Sequence, residues 1–152
     1  MRKVMLVLAV LGLVGSLWAA DSSLGAWKLN IAKSKMPSST SIKELIAVKK
    51  VVGDQFEIVF NQTNTDGNTL TIKYTCPQQG GMIQSAAIPK DSISVLTIIS
   101  PNESYTTNLQ NGKQVMVGHY VVSKDGKTMT ETDKGVDDKG KPVEETDVWE
   151  KQ

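Results

Sequence analysis

Cysteine, histidine and arginine occur once each among the 152 residues, and each scarcity closes off a class of function. Cys76 has no partner, so no intramolecular disulfide can form and the fold must rest on burial. It ends an alternating strand just before Pro77, and its expected role is a buried structural thiol, since free cysteine is among the most buried residue types. A nucleophilic role would need a neighbouring base, and His119 is the only histidine. His119 in turn has no second histidine with which to hold a metal or haem, so hydrogen-bonded structure is its expected role. No nucleophile elbow, P-loop or dinucleotide fingerprint occurs. No cofactor and no metal are expected.

The single arginine, Arg2, stands with Lys3 ahead of an apolar run that ends in Ala19 and Ala20. Residues 1–20 therefore read as a secretory signal peptide, too short and wrongly flanked for a stable span. Leu17 and Trp18 spoil the small-residue cleavage pattern, which leaves an uncleaved N-terminal anchor as the alternative. Residues 21–152 then form one exported domain, periplasmic or secreted. Without the leader, fifteen lysines face sixteen acids and the formal charge falls from +1 to −1. A near-neutral domain with no arginine is a poor partner for nucleic acid or for an anionic membrane.

Helical periodicity is also missing. From Trp27 onward apolar residues recur at period two, with turn signals at short intervals. The clearest alternation is Phe56, Ile58 and Phe60, followed by Leu70, Ile72, Tyr74 and Cys76. Gly53-Asp54, Asp66-Gly67, Asn111-Gly112 and Asp125-Gly126 punctuate the runs; Asn-Gly is the dipeptide a type I′ hairpin requires. Residues 31–39 read as a loop or one helical turn, residues 82–88 as a short strand, and residues 135–142 as a polar loop. The expectation is an all-β, antiparallel up-and-down meander of about ten strands. Short connections force antiparallel neighbours, and closure into a barrel removes both exposed edges. A two-sheet sandwich is the alternative.

Leu24-Gly25-Ala26-Trp27-Lys28-Leu29 resembles the opening of the intracellular fatty-acid-binding proteins and carries the Gly-x-Trp signature of lipocalins. Residues 127–130 and 148–151 look like the last two strands of those barrels. The mature chain as a whole is similar to a family of exported bacterial lipocalin-like proteins, most clearly in residues 27–30, 33–35 and 121–127. The resemblance implies a lipocalin-like barrel and a small apolar ligand. It does not imply a fatty-acid site. The Arg-x-Tyr pair that holds a carboxylate in fatty-acid-binding proteins corresponds here to Asp147 and Trp149, an anion in place of the cation. Only Lys151 lies near enough in sequence to stack on Trp27 as a late basic residue does in lipocalins.

Trp27 is expected to plug one end of the barrel, its indole N–H requiring a partner. The candidate ligand-binding residues are Trp27, Phe56, Phe60 and Tyr74, together with His119, Tyr120 and Trp149. The bland counterpart is a filled core, since small barrels are usually packed with side chains. His119 shares a strand face with Val115, Val117 and Val121. Eight acids between Glu131 and Glu150 match no calcium loop and read as a solvated hairpin. The leading function is non-catalytic binding of a small apolar molecule inside the barrel. An interaction barrel acting through its surface is second, and an enzyme using His119 or the acidic strands third. Oligomeric state is not set by the sequence.

Overall fold

The computed structural model describes residues 21–37, 40–137 and 139–152; the leader lies outside them. Ten strands follow in chain order: β1 Gly25–Leu29, β2 Ile42–Val52, β3 Gln55–Asn64, β4 Thr69–Pro77 and β5 Gly81–Met82, then β6 Ser92–Ser100, β7 Glu103–Gln110, β8 Lys113–Val122, β9 Thr128–Val136 and β10 Pro142–Lys151. They form one antiparallel sheet in the order β4-β3-β2-β1-β10-β9-β8-β7-β6-β5. Every strand but one junction pairs with its sequence neighbour, and β1 pairs with β10, bringing the first and last strands together. The outer strands β4 and β5 meet through a single bridge: the Thr75 N–H donates to the Gln84 carbonyl at 2.9 Å and the Gln84 N–H returns to Thr75 at 2.7 Å. The result is a nearly closed up-and-down barrel.

Short turns set this topology. Asn111 and Gly112 both have positive φ, 52° and 74°, the backbone a type I′ hairpin demands. The expected short strand at 82–88 shrinks to Gly81–Met82 plus the Gln84 bridge. Residues 85–91 lack β-branched repeats and turn back on themselves, with Ile88 N–H on the Ser85 carbonyl and Ser92 N–H on Pro89. Residues 30–34 make the expected turn, and Lys35 then rejoins β10 opposite Thr146. The polar loop expected to begin at Gly135 begins later, because β9 continues to Val136.

The two ends of the barrel differ. At one end the turns at 53–54, 77–80, 100–103 and 123–127 converge with residues 21–24. Ser22 N–H donates to the Pro101 carbonyl at 2.8 Å and Val122 N–H to Asn102 at 2.8 Å. The dry core lies here. Trp27, Leu29, Ala47, Val122, Met129 and Trp149 form one buried cluster, and Phe56, Cys76 and Leu96 a second. A void of about 10 Å³ beneath the N-terminal residues has room for no more than a water. The opposite end carries the loops at 30–37, 65–68, 83–91 and 111–112 and the turn before β10, and among the described residues no buried cluster. It is the open end.

Gly135 shows how tightly two strands meet near that end. It pairs with Met116 beside an extra residue, Val115, that shifts the β7–β8 register. A Cβ on Gly135 would sit 2.1 Å from the Val115 carbonyl oxygen, which is backbone and cannot swing aside. Gly135→Ala is therefore expected to destabilise the fold by about 1–3 kcal/mol, as overpacking does. Urea unfolding followed by far-UV circular dichroism checks this; an unchanged midpoint would contradict the close approach.

Candidate ligand-binding interior

Strand alternation aims three successive layers of side chains inward from β7 to β10. The deepest pairs Val122 with Met129 and Met129 with Trp149, and is apolar. The next runs Ser104, Tyr120, Glu131, Asp147. The third runs Thr106, Gly118, Asp133, Glu145. Carboxylates therefore face carboxylates directly across β9 and β10, an arrangement that like charges oppose. Among the described residues none of the ion pairs involves these four acids. The reading of the acidic stretch as a solvated hairpin is overturned for Glu131, Asp133, Glu145 and Asp147. They share strand parity with Met129 and Trp149 and point into the barrel.

Their protonation follows from that placement. Burial, then the neighbouring Asp133, push the Glu131 carboxyl up to about 8, against an ordinary 4.5. Two donors partly offset this: the Trp149 indole N–H bonds Oε2 at 3.0 Å and the Tyr120 hydroxyl lies within hydrogen-bonding reach. Burial, then Asp147 and Glu145, raise Asp133 to about 6. Asp147 is raised by burial and then by Glu145, and its Oδ1 is shielded from solvent without a hydrogen-bond partner. Tyr120 is held well above its usual value by burial and the adjacent acids, so it remains a neutral phenol. Gly118 makes the third layer possible. A Cβ there would lie 2.6 Å from both Asp133 Oδ1 and Thr106 Oγ1, so the missing side chain is the space those groups occupy.

The facing wall is aromatic and aliphatic. Phe60 meets Tyr74 edge-on at 5.7 Å and Trp149 at 6.1 Å. Phe60, Tyr74, Tyr120 and Glu131 lie within the barrel yet keep accessible surface, unlike the closed-end cluster. At the rim, Lys35 to Pro37 and the start of β10 border an open depression of about 390 Å³.

The seven sequence-nominated residues separate into three groups. Phe60, Tyr74, Tyr120 and Trp149 come together around the interior. Trp27 and Phe56 lie at the closed end. Trp27 is 1% exposed, its indole N–H donates to the Ser23 carbonyl at 2.8 Å, and Lys151 Nζ stands 5.0 Å from the ring. Phe56 is buried beneath Lys49 Nζ, 4.1 Å from its ring, while that lysine pairs with Asp21 at 2.7 Å. His119 belongs to neither. It pairs with Tyr105 on the outer face, stacks on that ring at 4.3 Å, and shares a 2.9 Å hydrogen bond with Glu103. Cys76 is buried, and burial pushes its thiol up.

No protein-family model matches the chain, and no curated protein matches it. Among solved structures it is similar to the siderocalin Ex-FABP, described as functioning through dual ligand specificities. The identity is 10%, 86% of this chain and 71% of that chain are covered, and the TM-score is 0.42. A likeness of that degree carries no argument about a ligand.

The interior acids make stability depend on pH with a definite sign. Glu131, Asp133 and Asp147 bind protons more tightly in the folded state than in the unfolded one, so between the two values the folded barrel holds protons that the unfolded chain releases. Stability is then greatest below the unfolded values and is lost as pH rises through the folded ones. The ion-paired surface carboxylates Glu44, Glu57 and Glu150 are shifted downward, so their contribution changes only on acidification below that window. The urea midpoint is expected to fall steadily from about pH 5 to about pH 9, and Glu131→Gln to remove most of that slope. A flat profile in the native chain would refute the buried placement.

Proposed function

We propose that the protein is an exported, non-catalytic lipocalin-like barrel that takes a small apolar ligand, neutral or basic, through its open end. One observation carries the reading: the closed end is dry and filled, whereas Phe60, Tyr74 and Tyr120 beyond it keep accessible surface inside the barrel wall. Interior aromatic faces beside a few convergent polar groups are the usual lining of a small-molecule site. The polar groups decide the ligand's charge. Asp147 and Trp149 occupy the positions where a fatty-acid carrier places its cation and tyrosine, and Glu131 lies directly opposite Asp147. A carboxylate placed there would add a further negative charge beside acids that already raise one another's proton affinity. An amine would relieve the repulsion, and an alcohol would be tolerated.

The leader supports export, and the Gly-x-Trp opening supports a place among exported bacterial lipocalin-like proteins. The catalytic alternative gains nothing from the geometry. His119 and Glu131 lie on opposite faces of the β-barrel wall and cannot act on one substrate.

Titrating the exported protein with dodecylamine, dodecanol and dodecanoate at neutral pH, read by tryptophan emission, tests the proposal. The amine and the alcohol are expected to bind and the carboxylate to fail. Asp147→Asn should weaken the amine by about tenfold or more, the value of a hydrogen bond to a charged group, and leave the alcohol unchanged. Preference for dodecanoate, or no response to any of the three, overturns the reading. The mass of the recovered protein also reports whether residues 1–20 were removed.

A further inference from the structure

The outer wall is divided between charged and uncharged strands. Around β1 to β4, β9 and β10 it carries a lattice of ion pairs: Lys28 with Glu44 at 2.5 Å, Lys50 with Glu57 at 2.9 Å, Lys73 with Glu57, Lys33 with Glu150 at 2.8 Å, and Lys134 with Glu144 at 3.2 Å. Around β5 to β8 the outward row changes character. Register places Met82, Val95, Thr107 and Val117 side by side across four strands, with Ile93 beside Leu109 on one flank and Thr97, Tyr105 and His119 on the other. Ile93, Met82 and Ile99 are 45%, 53% and 57% exposed. The one acid within this face, Glu103, is already engaged by His119.

We infer that this β5–β8 outer face is the interface of a two-fold homodimer, its occupant a second copy of the same face. Three observations select that occupant. In a two-fold interface each patch meets itself, so a bare charge would meet its like, and this is the wall from which unpaired charge is missing. Three strands, β6 to β8, spaced about 4.8 Å apart with about seven residues each at about 3.3 Å, together with the two residues of β5, present, with side-chain relief, on the order of 500–650 Å². That reaches the roughly 600 Å² per partner at the lower end of specific interfaces and the upper end of what monomers leave bare. The charged groups form a border instead, with Lys134 on β9 to one side and Lys113 and Asp91 at the open end, giving an apolar centre and a polar rim. Two such faces stack as sheets about 10 Å apart, with Val95 and Thr107 near the axis. The open end of each barrel stays clear of the contact.

Sedimentation equilibrium of the exported protein at up to about 500 µM is the test, with variants on both walls. The native chain is expected at twice the monomer mass. Val117→Lys and Ile93→Lys should weaken association at least about tenfold with unchanged far-UV circular dichroism, whereas Thr71→Lys on β4 should not. Should Val117→Lys fail to fold, Val121→Lys, at a more exposed position of the same strand, gives the same reading. A bismaleimide linker should join Thr107→Cys chains to each other, and buried Cys76 should leave the native chain unjoined. A native chain that stays monomeric overturns the inference, and if it then floats with neutral phosphatidylcholine vesicles the face belongs to a bilayer. Dimers that survive Val117→Lys and Ile93→Lys also overturn it.

Discussion

The closed end of the barrel depends on one indole. Trp27 stands opposite Ala47 on β2 and Lys151 on β10, so a single side chain lies where the first, second and last strands meet. Its N–H is satisfied by Ser23, its face by the Lys151 ammonium, and its edge by Leu29, Val122, Met129 and Trp149. A large aromatic with one polar atom suits this position, because it fills the taper of a small barrel and still ties down the incoming chain. Burial of the ring holds residues 21–24 across the turns, and those residues place Asp21 where it neutralises Lys49 over Phe56. Chain closure, core and the cap of the closed end are one arrangement.

That arrangement has a consequence for the interior above it. The dry cluster supplies enough burial to hold the strands in register, so the layers beyond Trp149 are free to be polar. Evolution of a filled barrel would place aliphatic side chains at 131, 133, 145 and 147. Carboxylates in this row cost stability when ionised; burial and mutual repulsion raise Glu131, Asp133 and Asp147 toward the neutral form, and Glu131 accepts from Trp149 and Tyr120. Such a cost at neighbouring positions, with Gly118 leaving the room for one of them, is the kind of local conflict with the fold that accompanies the proposed ligand site.

Much of this was legible in the sequence, for a physical reason. Period-two alternation and Gly-containing turns are local, so strand number, order and the near-closure of the meander followed from them. Trp27 as a plug, Lys151 as its only late basic neighbour and Cys76 as a buried thiol also followed, since each depends on burial type and sequence position. Which side of the wall a strand presents inward is not local, and there the reading failed in two places. His119 is hydrogen-bonded structure, as expected, but its valine neighbours also put it among the candidate lining residues, and those valines are the apolar outer wall. The acids of β9 and β10 were assigned to solvent by residue type. Their parity with Met129 and Trp149, both apolar and large, was the signal that placed them inside, and it outweighs the preference of an isolated carboxylate for water.

The seam between β4 and β5 ties the interior to the outer wall. Thr75 is the one β4 residue bridged across it, and Lys73 and Thr71, two and four positions back, turn their backbone groups toward the same edge. Residues 85–91 run alongside with local turns in place of a ladder. Lys73 on that edge discourages pairing with a foreign strand, the device by which sheets protect an unclosed margin. The described bridge here consists of two inter-strand hydrogen bonds, and β5 next to it pairs with β6 at only two residues, so the barrel wall is weakly held beside Leu70 and Tyr74. The same seam is flanked by Met82 and Val95, so the weakly paired margin of the wall is also where its outer row is apolar.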